Sequence, residues 1–146
     1  MSLFSSLSVS ASGMNAQRIR AELLVENLAN TETTRTPEGG PYRRKDVVFQ
    51  SQAQQSPFAR ALSDQMAGGD ATGVTVSDVM VDQRDPEKRY LPGHPDANAD
   101  GYVSFPRLNS AEEMVDLVSA SRGYQANVAS MTSIKEMIQR SIDLLK

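Results

Sequence analysis

Proline and glycine are confined almost entirely to the middle of this chain. All seven prolines lie between Pro37 and Pro106, and of the nine glycines only Gly13 and Gly123 lie outside that interval. Because proline breaks helices and glycine weakens them, long helices are allowed only at the two ends. The predicted domains are an amino-terminal helix over residues 1–30, a β-rich or irregular middle domain over 31–109, and a carboxyl-terminal helix over 110–146.

Both ends carry apolar residues at alternating spacings of three and four. This spacing keeps side chains on one stripe of a helix, and a sustained repeat favours coiled-coil packing against another helix. Arg18, Ser121 and Lys135 are polar interruptions. With Asn30 added at the end of the first helix, the predicted interface residues are Leu7, Ala11, Met14, Ala21, Leu24, Val25, Leu28, Asn30, Met114, Leu117, Tyr124, Val128, Met131, Ile138, Ile142 and Leu145.

Spacing alone does not say what covers these two stripes. They can pack on each other within one chain, which would make a self-contained helical binding module of the cytoplasm. They can instead be covered by other molecules in an assembly. At 1.5 Å per residue the helices would reach roughly 50 Å and roughly 35 to 40 Å, more than a globular domain of this size can cover. Helix length therefore favours an assembly.

The middle of the chain has the composition of short strands. β-Branched residues are enriched in Lys45 to Gln50 and in Gly73 to Asp82, and Tyr102 to Phe105 is a third candidate. The glutamine-rich stretch Gln50 to Gln55 and the pair Gly68-Gly69 are typical of loops or linkers. The predicted fold class is therefore α+β, with long terminal helices in a coiled-coil-like pair or bundle and a small irregular β-rich middle domain.

The start of the second helix has a capping signature. Ser110 and Glu113 have the spacing of a capping box, in which each side chain accepts a hydrogen bond from a backbone amide that the helix leaves unpaired. Glu112 and Glu113 also suit the positive end of the helix dipole. These carboxylates are thus explained without a role in acid–base chemistry.

Composition excludes several classes of function. A net charge of -3 argues against a nucleic-acid partner, and the absence of cysteine removes disulfides and thiolate metal sites. No stretch is long enough for direct membrane insertion, and serines and the late first basic residue, Arg18, argue against a cleavable signal peptide. No nucleophile elbow or phosphate-binding glycine loop is present. We therefore predict no enzyme activity and no cofactor.

One segment partly matches a calcium-binding loop. Asp96 to Gly101 fits the first six positions of an EF-hand loop, but Arg107 stands at the twelfth, where a glutamate should complete the coordination shell. A calcium-regulated adaptor is therefore a minor alternative. We expect a chain reversal built on Asn and Asp turns before the strand at Tyr102, with the single histidine, His94, as a loop residue.

Several segments resemble the flagellar rod and hook proteins. SGMNAQ at residues 12–17 and ENLANTETT at 26–34 resemble the family's amino-terminal signature, in which a helix ends in Asn-x-Ala-Asn before a Thr-rich loop. AEEMVD at 111–116 and SRGYQAN at 121–127 resemble its terminal helix. GHPDANADGYV at 93–103 is similar to the turn that precedes this helix in a short proximal rod member. Departures at Glu32 and at residues 106–109 affect the subtype more than the family.

The resemblance implies a structural subunit of the proximal rod that polymerises through its terminal helices, transmits torque and lines the export channel. It implies a location in the periplasmic part of the basal body, reached through the flagellar type III export apparatus. The implied partners are the rod proteins FlgB, FlgF, FlgG and FliE and further copies of the chain. Within the family, the sister proximal rod protein FlgB is the alternative identity.

Overall fold

Two long helices begin and end the described chain, with four short strands between them. The computed structural model describes residues 3–52 and 73–144. The predicted α+β class is confirmed, whereas the predictions for Gly68-Gly69 and Leu145 lie outside the described residues. The elements are helix α1 (Leu3–Ala29), strands β1 (Lys45–Ser51), β2 (Val74–Val81), β3 (Glu87–Tyr90) and β4 (Tyr102–Phe105), and helix α2 (Ser110–Asp143).

The chain forms two compact units, and each helix contributes a segment to both. We call them the terminal unit and the central unit. The described residues of the terminal unit are 3–19, 49–52, 73–77 and 120–144. Those of the central unit are 20–48 and 78–119.

Strands β1 and β2 form a two-stranded sheet. The amide of Gln52 donates to the carbonyl of Gly73 at 2.7 Å, and the amide of Asp82 donates to the carbonyl of Arg44 at 2.8 Å. These bonds join the end of each strand to the start of the other, so the pair is antiparallel. Both strands were predicted from their β-branched residues. The predicted linker is wrong at Gln50 and Ser51, which continue β1.

Strands β3 and β4 form an antiparallel hairpin in which Glu87 faces Phe105 and Tyr90 faces Tyr102. Strand β4 was predicted, and its Val103 is buried with 1% exposure. Strand β3 was missed because its sequence, EKRY, has no alternation of apolar and polar residues and all four side chains are exposed. Its conformation depends on backbone pairing with β4.

The loop between β3 and β4 reverses the chain as expected. Asn98 Oδ1 accepts from the amides of Asp100 at 3.1 Å and Tyr102 at 2.8 Å, and the amide of Gly101 donates to the carbonyl of Asn98 at 2.9 Å. Gly101 has a φ of 79°, a left-handed conformation in which glycine carries no steric cost. The segment that resembled a calcium loop is therefore a hydrogen-bonded Asx turn.

Two further contacts fix the start of this loop. The hydroxyl of Thr34 donates to Asp96 Oδ2 at 2.7 Å. His94 Nδ1 accepts from the amide of Asp96 at 3.1 Å, and its ring meets Phe105 edge-on with centroids 6.3 Å apart. His94 is thus a loop residue, as expected.

The capping box predicted for α2 is wrong. Asn109 Oδ1 accepts from the amide of Ala111 at 3.1 Å, so Asn109 caps the helix and Ser110 is its first residue. Asparagine caps as well as serine and lies one position earlier. Glu113 therefore falls in the next turn, where its carboxylate bonds to Arg44 instead of returning to the helix start.

Replacing Gly101 by alanine should lower the free energy of unfolding by about 1–2 kcal/mol, because an L residue is strained at this φ. The new Cβ would also lie 2.9 Å from the Tyr90 ring and 3.2 Å from Pro92 Cβ. Urea denaturation of the purified chain measures the change. The matched control is Gly93→Ala in the same loop, where a Cβ would have no described neighbour within 4 Å. Equal losses in both variants would contradict the argument.

Candidate assembly interface and the polar cluster behind it

A fully buried asparagine joins α1, β1 and α2 in the central unit. Asn27 Oδ1 accepts from the Tyr42 hydroxyl at 2.9 Å and from the amide of Lys45 at 3.0 Å. Its Nδ2 donates to the carbonyl of Lys45 at 2.9 Å and to Glu113 Oε2 at 3.1 Å. A side-chain amide can make two bonds of each kind, so Asn27 is completely satisfied. The Asn27 side chain thus exchanges two hydrogen bonds with the backbone of Lys45, as a residue of a neighbouring strand would.

The carboxylate of Glu113 is the charged member of this group. Its Oε1 accepts from Arg44 Nε at 2.5 Å, and Arg44 also lies 3.6 Å from Asp46 and 3.9 Å from Asp116. Asp116 in turn lies 3.3 Å from Arg20 on α1. Because Glu113 is buried, its charge is tolerated only with such a partner. We call Asn27, Tyr42, Arg44, Lys45 and Glu113 the polar cluster.

Electrostatics keep the donors of the polar cluster protonated. Burial raises the pKa of Tyr42 to about 12, and the negative charges of Glu26 and Glu113 act in the same direction. Burial by itself lowers the pKa of Arg44, but its hydrogen bond to Glu113 and the nearby carboxylates raise that pKa above the usual value. Both side chains therefore keep their hydrogen bonds well into the alkaline range.

Small and polar side chains form the contacts between α1 and α2. Leu24 on α1 and Ile134 on α2 are the large apolar exceptions among the buried helix positions, with 4% and 8% exposure. The other buried helix positions are Ser10, Ala16 and Asn27 on α1 and Glu113 and Ala120 on α2. The paired positions are Asn27 with Glu113 and Arg20 with Asp116 in the central unit, and Gly13 with Asn127 and Gln17 with Gly123 in the terminal unit.

Most of the predicted interface residues keep part of their surface exposed. Asn30 ends α1, and its Nδ2 donates to the carbonyl of Glu26 at 2.9 Å. Leu24 is buried. The exposed members are Ala11, Val25, Met114, Tyr124, Val128 and Ile142. The half-buried members are Leu7, Met14, Ala21, Leu28, Asn30, Leu117, Met131 and Ile138.

Sequence reasoning missed a second group of exposed apolar residues. Val115 is 70% exposed and Val118 is also exposed, and at 100° per residue both lie on the side of α2 away from Glu113. The signal was present, because these valines lie next to Met114 and Leu117 and make the helix apolar on more than one side. A helix of this kind is normally buried by neighbours. The remaining exposed large apolar residues of the helices are Leu3, Phe4 and Met137, and Leu144 directly after α2 is also exposed.

The described residues bring together no group of three or more acidic or histidine side chains that could hold a metal ion. Within the same residues, no helix is long and apolar enough to cross a membrane.

Comparison with known proteins gives full-length matches. Residues 99–144, which include β4 and α2, match the family described as flagellar basal body rod FlgEFG protein C-terminal. The flagellar basal-body rod protein FlgC of Bacillus subtilis is 45% identical over all of both chains. FlgC of Borreliella burgdorferi is 38% identical, covering 100% of this chain and 99% of its own. The chain belongs to the FlgC family. FlgC of Salmonella typhimurium is 37% identical over 99% of this chain and 98% of its own.

The FlgC match confirms the resemblance found in the terminal segments. It favours FlgC over the sister protein FlgB, because the full length aligns with proteins of that name. These names describe rod proteins and not enzymes. FlgC relatives thus place the chain among the structural components of the flagellar basal-body rod.

Replacing Asn27 by aspartate should destabilise the chain by roughly 3 kcal/mol at neutral pH, because a carboxylate would face Glu113 and the Lys45 carbonyl without a donor. Burial raises the pKa of the new carboxyl, so its protonated form is favoured on folding. The loss in free energy of unfolding relative to the unchanged chain should therefore shrink as pH falls towards about 4 and grow as pH rises above it. Urea denaturation at several pH values measures this. Asn27→Ala is the control, and its loss of stability should change less with pH because it adds no new carboxyl group.

Tyr42 should make the chain lose stability in alkali. The pKa of Tyr42 is about 12 in the folded chain against an ordinary value of 10.0, so its contribution to stability is complete below pH 10 and is lost as pH rises towards 12. In Tyr42→Phe, stability should fall less steeply over this interval than in the unchanged chain. The exposed Tyr90 provides the control, since Tyr90→Phe removes a phenol hydroxyl that takes no part in the polar cluster. Identical slopes for the unchanged chain and Tyr42→Phe would refute the assignment.

Proposed function

We propose that the chain is an axial subunit that polymerises in the proximal rod of the flagellar basal body through α1 and α2. In this proposal the helical parts, residues 1–30 and 110–146, surround and line the export channel, and residues 31–109 form an outer domain. The observation that carries the proposal is the exposed apolar surface of the helices, above all Val115 and Val118 on the side of α2 away from Glu113.

This surface remains exposed because the intrachain helix contact does not use it. The described residue pairs between α1 and α2 consist of glycine, amide and charged side chains, and Leu24 and Ile134 are the large apolar side chains buried on these helices. Burying a valine or methionine side chain contributes about 1.5–3 kcal/mol. The exposed positions Met114, Val115 and Val118 can therefore supply substantial association energy when neighbouring subunits cover them.

The polar cluster supports a mechanical role. Asn27, Glu113 and Arg44 tie α1, α2 and β1 together with directional bonds inside the central unit. Such bonds resist sliding more than nonspecific apolar contact does, because each has a fixed distance and angle. A subunit that transmits torque needs this stiffness and no chemical step, so we assign it no catalysis.

Membership of the FlgC family supports the choice of partners. We propose contacts with FlgB, FlgF, FlgG and FliE, with further copies of the chain, and with the type III export apparatus during delivery. Nucleic acid and membrane lipid are not among the proposed partners. The contact between α1 and α2 favours the alternative of a self-contained helical module, but that alternative assigns no role to the exposed apolar residues.

Replacing Val128 by aspartate should leave the chain folded and reduce its incorporation into basal bodies at least tenfold, with loss of swimming. Val128 is 41% exposed, so the fold does not depend on burying it, whereas a charge there would be desolvated in an assembled rod. Incorporation is measured by quantifying the chain in purified basal bodies of a strain that lacks its own copy.

The matched control introduces the same charge at Ala126, which is exposed on the same helix but lies outside the predicted stripe. Ala126→Asp should retain most incorporation. Circular dichroism of both purified variants checks that each helix content is unchanged. Normal incorporation and swimming of the Val128 variant would overturn the proposed interface.

A further inference from the structure

A glycine on α1 receives an amide side chain from α2 in the terminal unit. An ideal Cβ built on Gly13 would lie 3.0 Å from Asn127 Nδ2, 3.1 Å from its Oδ1 and 3.2 Å from its Cγ. A methyl group at position 13 would require the Asn127 amide to shift by a few tenths of an ångström, and a larger side chain would need the space that this amide fills. Glycine is unfavourable inside a helix by about 1 kcal/mol relative to alanine, so this close approach explains its presence here.

The reverse contact occurs one turn away. An ideal Cβ on Gly123 of α2 would lie 3.2 Å from Gln17 Cδ and 3.3 Å from its Cγ. Gln17 follows Gly13 by four residues, as Asn127 follows Gly123, so each helix carries a glycine and then an amide on the same face. Because the helices run antiparallel, each glycine faces the amide of the other helix.

We infer that Gly13, Gln17, Gly123 and Asn127 are specificity-determining residues that fix the register of α1 against α2. We call these four residues the register lock. Sliding α2 by four residues in one direction would set Gly13 against Gly123 and leave a gap. Sliding it in the other direction would set Gln17 against Asn127, where two amides would occupy one space. The lock thus selects one pairing by disfavouring its nearest competitors.

Hydrogen bonding shows that the register lock provides specificity more than stability. Asn127 Nδ2 donates to the carbonyl of Gly123 at 3.0 Å, which holds this amide in position on its own helix. Gln17 Oε1 is buried and accepts no hydrogen bond within the described part of the chain. An unpaired buried acceptor costs about 1–3 kcal/mol. A contact selected for stability alone would place an apolar side chain there.

A defined register has a consequence for assembly, which rests on the proposed function. Tyr124 and Val128 follow the two lock residues of α2 directly and are exposed. A slip of one turn would move them about 5 Å along α1. Subunits with different registers would then present different apolar surfaces to a neighbour.

The test exchanges the glycine and the amide between the two helices. The chain has no cysteine, so Asn15→Cys and Glu136→Cys, at exposed positions of the terminal unit, allow spin labels. These positions are offset along the helix axis by roughly 16 Å, so a slip along the axis changes the label separation directly. Gly13→Asn should broaden the distance distribution or add a population displaced by about 5 Å. Adding Asn127→Gly should restore the single distance, because the amide is then supplied by α1 and faces a glycine on α2.

Ala11→Asn is the control, since it places the same side chain at an exposed position of α1. An unchanged distance in Gly13→Asn, an equal change in Ala11→Asn, or no restoration in the double variant would overturn the inference. If Gly13→Asn unfolds, the exchange of Gln17→Gly with Gly123→Gln tests the lock independently. These distances are measured on the purified chain, so failure of the lock would leave the rod proposal standing. The expected distances together with normal incorporation of Val128→Asp would support the lock and overturn the rod interface.

Discussion

The central unit depends on the four hydrogen bonds of one buried amide. Asn27 joins the end of α1 to both backbone groups of Lys45, to Tyr42 and to Glu113 on α2. A buried amide that lacks one hydrogen bond destabilises the fold more than an apolar side chain of the same shape would. The arrangement is therefore stable only when every partner is in place. The position of β1 and the charge of Glu113 both follow from it, since Glu113 lies in the interior where Asn27 and Arg44 can bond to it.

A helix pair whose described contacts are mostly polar or small residues leaves several of its large apolar residues exposed. In a self-contained helix hairpin, the large aliphatic side chains would face the partner helix. Here Met114, Val115 and Val118 are exposed. The intrachain contact therefore determines geometry, and the exposed apolar surface remains available to supply association energy. This separation suits a subunit whose contacts must be both specific in shape and strong in assembly.

The sequence predicted the helices and three of the strands because each has its own periodic or compositional signal. It did not predict β3, whose conformation comes from pairing with Tyr102–Phe105 and not from its own side chains. It assigned Glu113 to a capping box because Asn109 and Ser110 are equally good caps, and a single residue decides where the carboxylate points. Counting apolar spacings also excluded Asn27, since a buried polar residue is explained only by partners that are distant in the sequence.

The two glycines outside the middle of the chain follow the same logic. Their positions marked them as exceptions, but helix propensity alone could treat Gly13 and Gly123 only as weak points. The structure gives each a reason, because an amide from the opposite helix occupies the space beside it. A residue that lowers the intrinsic stability of a helix can thus raise the specificity of its pairing. The same holds in this proposal for Gln17, whose buried carbonyl accepts no hydrogen bond from the described residues but whose bulk disfavours the neighbouring register.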